Sequence, residues 1–384
     1  MNQLSQIEII GAGPAGLYTA ILIRRLLPHV RVRVTEQNPE GATFGFGVVF
    51  SNEALTFLKS EDPEIHQMIT PLMEKWENMT LNLPAGPVTL DGVGFTAISR
   101  HRLIEVLKEQ ATDLGIPVRF KTELKSLDAL KADIVVGADG LNSLVRRTFA
   151  KTFKPKLEYF QNYFAWFGAS IPFDTLTQTF IETNNGPLNA HHYRFSPDRS
   201  TFIIECENET FKSFGFSKMD EIESVQICSD LFRETLKGTE LITNKSTWRQ
   251  FPRLWCENWV YGRNVLIGDA AHSAHFSIGS GTRLAMEDSI SLVQSLKNHT
   301  DIDEALAAYQ SHRQPIAHKI VNAANTSAVW YESFGHKMQL DPIDFAYDYL
   351  TRSGRMTDER LLKVAPKFAG AYQKFKSKKN KVID

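Results

Sequence analysis

The sequence predicts an α/β protein in which a doubly wound, mostly parallel sheet is interleaved along the chain with a mostly antiparallel sheet and followed by helices. Three observations predict it. A strand, a glycine-rich turn and a helix open the chain and end at Leu27. Buried apolar strands return much later, at 133–138 and 264–267, and each runs into an Asp-Gly or Gly-Asp pair. Residues 155–258 are rich in aromatic and β-branched side chains and alternate in places with period two, as in Thr201-Phe202-Ile203-Ile204-Glu205.

Taken in order, Ile7, Ile9 and Ile10 form a short apolar strand, and Gly11-Ala12-Gly13-Pro14-Ala15-Gly16 follows it and opens a helix that Pro28 stops. The alternating Val30, Val32 and Val34 mark a second strand. Glu36 ends it, at the separation from Gly16 expected of a carboxylate that bonds an adenosine ribose, with Gln37 beside it. Glycines at such a turn permit close approach of a pyrophosphate, and the positive end of the helix dipole meets its charge. The plain alternative is a tight βα turn. Short apolar runs with Gly and Pro over 76–95 read as strands, Arg100 to Gln110 as a helix, and Thr282 to about Leu296 as another, after which helices dominate. The resulting division assigns 1–75, 97–154 and 259–300 to a nucleotide domain, 76–96 and 155–258 to a substrate-binding sheet domain, and 301–384 to a helical region.

Composition narrows the functional classes. Of 384 residues, 42% are hydrophobic and 23% charged, which suits a globular protein. Forty-three basic against 44 acidic side chains create no field for nucleic acid or an anionic membrane, and the run from Lys374 to Lys381 reads as a solvated tail. Cys206, Cys228 and Cys256 are odd in number and widely spaced, which predicts reduced thiols rather than disulfides, and no metal site is expected. The start Met1-Asn2-Gln3-Leu4-Ser5-Gln6 leaves no room for a secretory signal, and no apolar run approaches the ~18–20 residues of a membrane span. A cytoplasmic protein is expected.

Asp139-Gly140 after one buried strand and Gly268-Asp269-Ala270-Ala271-His272 after another resemble the second and third fingerprints of the class A flavoprotein monooxygenases, of the p-hydroxybenzoate hydroxylase type. That resemblance implies FAD in a Rossmann-like domain of the GR2 type. It also implies that Asp269 bonds the ribityl chain and that Arg100, in Arg100-His101-Arg102-Leu103, reaches the cofactor, with Val48 and Asp139 in the same set. No second glycine fingerprint exists for a nicotinamide, which fits a family that binds NADH or NADPH only transiently and uses O2.

The stretches Phe44 to Ser51, Ser200 to Glu205 and Ala274 to Thr282 look like the hydroxylases of aromatic acyl-CoA thioesters, the salicylyl-CoA 5-hydroxylase and 2-aminobenzoyl-CoA monooxygenase group, and Leu350 to Arg355 resembles the end of their monooxygenase part. Many of those proteins add a reductase half that this chain lacks, so only hydroxylation is implied. The stretch His275-Phe276-Ser277-Ile278-Gly279 is also similar to the violacein-pathway hydroxylase of a tryptophan-derived indole. A free aromatic acid or indole intermediate is therefore the rival substrate. Phe276 replaces a proline common in the class, and Arg283 an asparagine or lysine.

The resemblance implies hydroxylation of an electron-rich ring through a flavin C4a-hydroperoxide, in a dry pocket that the aromatics of 160–205 could line. Gly279, Gly281 and Thr282 open a helix whose backbone N–H groups suit the negative charge of reduced flavin. His191 and Tyr193, two apart on a strand, share one face and are expected to look toward the substrate. His275 lies in the loop expected to pass the flavin, and an imidazole pKa of about 6.5 suits proton exchange. With Phe276 and Arg283 these make up the expected catalytic set. The expected partner is a small aromatic molecule, and the expected assembly a monomer or homodimer. Two rival classes stay open: a non-hydroxylating FAD oxidoreductase, of which a halogenase would carry a Trp-x-Trp-x-Ile-Pro stretch not found here, and a flavin-binding module without substrate-stimulated NAD(P)H oxidation.

Overall fold

The computed structural model describes residues 4–43 and 45–383, with side chains described as far as Asn380. Met1, Asn2 and Gln3, Phe44 at the head of one motif stretch, and the Lys381 side chain of the basic run lie outside the described residues.

The strands of the first half are Gln6–Ile10 (β1), Arg31–Thr35 (β2), Gly47–Ser51 (β3), Glu74–Trp76 (β4), Met79–Leu83 (β5), Gly86–Leu90 (β6), Phe95–Ser99 (β7), Val118–Arg119 (β8) and Ile134–Gly137 (β9). Those of the second are Pro155–Ala169 (β10), Leu176–Ile181 (β11), Leu188–Arg194 (β12), Ser200–Cys206 (β13), Leu241–Ile242 (β14), Arg249–Cys256 (β15), Val260–Tyr261 (β16) and Asn264–Leu266 (β17). They fall into two compact units. The first collects Met1–Thr43, His101–Tyr159 and Pro252–Ala324; the second collects Phe44–Arg100, Phe160–Phe251 and Asn325–Asp384.

In the first unit the sheet order is β16-β17-β9-β1-β2-β8, with every pair parallel except β16–β17. The isoleucines of β1 are buried, as a strand covered on both faces requires. Pro14–Leu26 (α1) follows, with Pro14 in its first turn and Arg24 and Arg25 in its last, where their charges suit the dipole. The Gly281–Asn298 helix packs on α1, and the Ser289 hydroxyl donates to the Ala15 carbonyl at 3.2 Å.

In the second unit the large sheet runs β14-β10-β13-β12-β11-β5-β6 with β15 beside β10; along that path β11–β5 is parallel and the other pairs are antiparallel. The helices Asn208–Phe214 and Glu221–Leu231 interrupt the region expected to be sheet. Period-two alternation gives the sheet two dry faces. On one, Ala190, Phe202, Ile204 and Cys206 pack with Phe211 and Phe232. On the other, Leu176, Phe180 and Tyr193 pack with Trp330, Phe334, Phe345 and Tyr349 of the C-terminal helices. Each fully buried aromatic of this kind contributes about 1.5–3 kcal/mol.

These units divide the chain differently from the three-part expectation. Residues 44–75 group with the antiparallel sheet because β3 and β4 both pair with β7. The helices after Asn325 share the core of that sheet, while 301–324 group with the parallel one.

Cys206, Cys228 and Cys256 are free and buried. Among the described residues no helix is long and apolar enough to cross a membrane, and no cluster of His, Cys, Asp and Glu suits a metal ion.

Candidate active site

Close packing dictates two of the three loop glycines. Gly11 has φ +102°, and a Cβ there would lie 2.4 Å from the Ala138 carbonyl oxygen; a Cβ at Gly16 would lie 1.9 Å from the Gly11 oxygen. Around Gly13 there is open space, with nothing within 4 Å. Gly13 caps α1 without a side chain, and the first turn, with Pro14, Ala15 and Gly16, holds no acid. The helix therefore offers uncapped N–H groups and an uncompensated positive end, the setting a diphosphate fits.

Glu36 is half-buried and pins this loop: one oxygen accepts from Ala12 N–H at 2.8 Å, the other from the Asn38 N–H at 2.8 Å and its Nδ2 at 2.7 Å. A carboxylate so bound keeps lone pairs for ribose hydroxyls. Gln37 beside it is exposed.

Asp139 follows β9. Its Oδ2 accepts from Leu144 N–H at 2.6 Å, whereas Oδ1 is buried and has no hydrogen-bond partner among the described residues. Burial raises its pKa above the ordinary carboxylate value and outweighs the Leu144 N–H, which favours the charged form. Together with the open cradle at Gly13, this orphaned acceptor fits a hydroxyl-bearing dinucleotide such as FAD.

The buried Arg146 ties two loops together. Its guanidinium donates to the carbonyls of Gly140 at 3.4 Å, Leu141, and Ala270 at 2.9 Å. Asp269 is exposed on the Gly268–Ala270 turn, which begins with Gly268 at φ +56°. A Cβ on Gly268 would sit 3.1 Å from the Ala285 Cβ and 3.5 Å from that of Ala15. The glycine loop, the Asp139 loop and the Asp269 turn thus converge in one unit.

Gly279, at φ +61°, ends a short turn over Phe276–Ile278. The next helix starts at Gly281, where a Cβ would meet nothing within 4 Å; it has no side-chain cap and no acid in its first turn, and Thr282 is half-buried. His275 is 2% exposed; its Nδ1 accepts from Ser277 N–H at 3.3 Å, and its ring lies 4.1 Å from that of Phe276. Arg283 Nε donates to Glu287 at 2.6 Å.

Val48, Arg100, His191 and Tyr193 belong to the second unit. Val48 is buried on β3, and the half-buried Arg100 starts a helix, with its N–H on the Phe46 carbonyl at 2.8 Å. His191 and Tyr193 share a face of β12, but both are buried and bonded within the protein. His191 Nε2 lies 3.1 Å from Glu205 Oε2, and Glu205 Oε1 accepts from Asn162 at 2.9 Å. Burial, then the charge of Arg352, pushes His191 well below the usual imidazole range. The neutral ring donates to the carboxylate. The Tyr193 hydroxyl donates to the Gly47 carbonyl at 3.0 Å, and burial raises its pKa to about 12. Thr201 Oγ1 accepts from the Gly47 N–H at 2.9 Å. Sequence reasoning missed Arg146 and Glu205; the arginine seven positions after Asp139 was the one available signal for the first.

These loops define a nucleotide-binding flavoprotein. Residues 127–324 match the FAD binding domain family. The chain is 36% identical over 360 residues to salicyloyl-CoA 5-hydroxylase of Streptomyces sp, covering 91% of this chain and 70% of that one. It is 30% identical to the 3-hydroxy-4-methyl-anthranilyl-[aryl-carrier protein] 5-monooxygenase of Streptosporangium sibiricum, over 85% of this chain and 89% of the other. It is also 30% identical to protodeoxyviolaceinate monooxygenase of Chromobacterium violaceum, over 90% and 94%. A crystal structure of a single-site mutant of 2-methyl-3-hydroxypyridine-5-carboxylic acid oxygenase shares the fold at TM-score 0.71 and 17% identity, covering 94% of this chain and 96% of that one. The chain belongs to the FAD binding domain family and is a class A FAD-dependent aromatic monooxygenase, with NAD(P)H and O2 as co-substrates.

Proposed function

We propose that this enzyme hydroxylates an electron-rich aromatic acyl thioester such as salicylyl-CoA or anthraniloyl-CoA. The observation that carries the reading is the 36% identity to salicyloyl-CoA 5-hydroxylase across 91% of this chain. In balance, a ring C–H, O2, NAD(P)H and a proton give the ring C–OH, water and NAD(P)+.

Bound FAD supplies the reaction with dioxygen and the transfer of one oxygen atom. The protein positions the cofactor and excludes water. Gly11, Gly13, Pro14, Ala15 and Gly16 would receive the diphosphate at the start of α1, and Glu36 and Gln37 the adenosine side. Asp139 and Asp269 would hold the remainder within the first unit, and Arg100 and Val48 are the further candidates, in the second. The N–H groups at Gly281 and Thr282 would stabilise negative charge on the reduced ring system, worth ~3–4 kcal/mol by analogy with oxyanion donors, while Gly279, whose N–H is bonded to the Phe276 carbonyl, shapes the turn before them. His275, Phe276 and Arg283, which flank that helix start, would make up the catalytic set. His191 and Tyr193 shape the substrate sheet through the partners they hold.

The test follows NADH and NADPH oxidation and a product one oxygen heavier, by mass spectrometry, with salicylyl-CoA, anthraniloyl-CoA, the free acids and tryptophan-derived indoles. Coupled turnover of a thioester alone supports the reading. Turnover of only an indole or free acid overturns it in favour of the second reading, a biosynthetic hydroxylase, which the 94% coverage of protodeoxyviolaceinate monooxygenase favours.

A further inference from the structure

Behind the Gly268–Ala270 turn lies a row of charges in which the buried Glu287, Asp288 and Arg313 belong to no motif of the sequence. Asp288 is 0% exposed, and its Oδ2 accepts from Gly268 N–H and from His272 Nε2, both at 2.8 Å. Its Oδ1 accepts from Arg313 Nε at 2.7 Å. Burial alone would raise the Asp288 pKa; His272 and Arg313 outweigh it and hold the group below the ordinary value. Arg313 also reaches Glu287 at 2.8 Å, and Glu287 holds Arg283 at 2.6 Å. The row therefore alternates in sign from Arg283 through Glu287 and Arg313 to Asp288.

Its two ends differ. Asp288 grips the first N–H of the turn, while Arg146 grips the Ala270 carbonyl from the other side at 2.9 Å. The turn is thus held at both ends by buried charges of opposite sign, and the exposed Asp269 stands between them. At the other end Arg283 is the member that water reaches, with its side chain 17% exposed in the first turn of the Gly281–Asn298 helix. A buried ion pair is costly unless its geometry also satisfies the neighbouring donors, and Asp288 meets that condition through the Gly268 N–H and His272.

We infer that Asp288 and Glu287 are positioning residues for the flavin. Asp288 holds the turn that offers Asp269 to the cofactor, and Glu287 damps the positive charge that Arg283 brings to the helix start. The second half rests on the proposed placement of that helix start beside the redox-active ring. Removing Glu287 leaves Arg283 uncompensated, which favours the reduced, anionic flavin and moves the midpoint potential to more positive values; removing Arg283 moves it the other way.

The variants are Asp288→Asn, Glu287→Gln, Arg283→Gln and the Glu287→Gln/Arg283→Gln pair. The readouts are FAD affinity by fluorescence titration, midpoint potential by dye equilibration, and circular dichroism with Tm as the fold control. Asp288→Asn should weaken FAD binding at least about tenfold with its far-UV spectrum kept. FAD binding as tight as in the wild type overturns that half; if Asp288→Asn does not fold, Asp288→Glu, which keeps the charge but shifts the oxygens, replaces it under the same criterion. Glu287→Gln should move the potential positive, Arg283→Gln negative, and the pair should return near the wild-type value. A shift in Arg283→Gln alone overturns the role of Glu287 but keeps the helix placement. No shift in either single variant overturns both.

Discussion

The glycine loop of the first unit and the β12 face of the second both attracted sequence candidates, and the fold treats them in opposite ways. At Gly13 and Gly281 the backbone looks into open space. On β12, His191 and Tyr193 are enclosed, with their polar atoms bonded to Glu205 and Gly47. A motif that works through backbone N–H groups survives folding as an accessible surface, because no neighbouring side chain competes for it. A polar side chain on a strand between two cores must find a partner inside the protein.

The comparison can be broken first at Glu205. Glu205→Ala leaves His191 and Asn162 donors without that acceptor, so denaturation should report a loss of roughly 3–5 kcal/mol. A loss below about 1 kcal/mol would mean that the β12 face is open after all.

The next test is acid. His192 is buried beside His191, with Nε2 2.8 Å from Thr179 Oγ1, and burial lowers its pKa from 6.5 to about 3. Between those values the unfolded chain binds the extra proton. Stability is therefore full above pH 6.5 and falls as pH drops, by up to about 1.4 kcal/mol per pH unit from this group. Thermal melts from pH 7 to 4 should decline, and His192→Gln should flatten the decline.

At the loop, Gly16→Ala forces a Cβ against the Gly11 carbonyl and should cost about 1–3 kcal/mol of stability. Gly13→Ala meets nothing, so its Tm should stay within about 2 °C while FAD affinity drops. Equal effects of the two substitutions on stability would erase the distinction between packing glycine and ligand glycine. The smallest effect belongs to Tyr193→Phe, which removes one neutral hydrogen bond to Gly47 and should cost about 1 kcal/mol by chemical denaturation.

Local spacing explains what was legible. The run from Gln6 to Glu36 forms β1, α1 and β2, so one short window of sequence contains the whole unit, and Asp139 and Asp269 each follow an apolar strand. The partners that complete the site come from afar. Arg146 meets Ala270 across 124 positions, and Gly268 meets Asp288 across 20, with no periodicity to link them. Glu205 reads as the polar end of an alternating strand, and only the register of β13 against β12 sets its carboxylate near His191. The grouping of 44–75 was equally hidden, because β3 pairs with a strand more than forty positions later.

The three cysteines carry a last consequence. An oxygen-using hydroxylase makes hydrogen peroxide whenever a turnover uncouples, and peroxide attacks thiolates rather than thiols. Burial raises the pKa of Cys206 and Cys228 far above the usual thiol range and lifts Cys256 to about 12. Each of the three sulfhydryls is therefore held protonated and inside the fold, the form and place least open to peroxide from an uncoupled turnover.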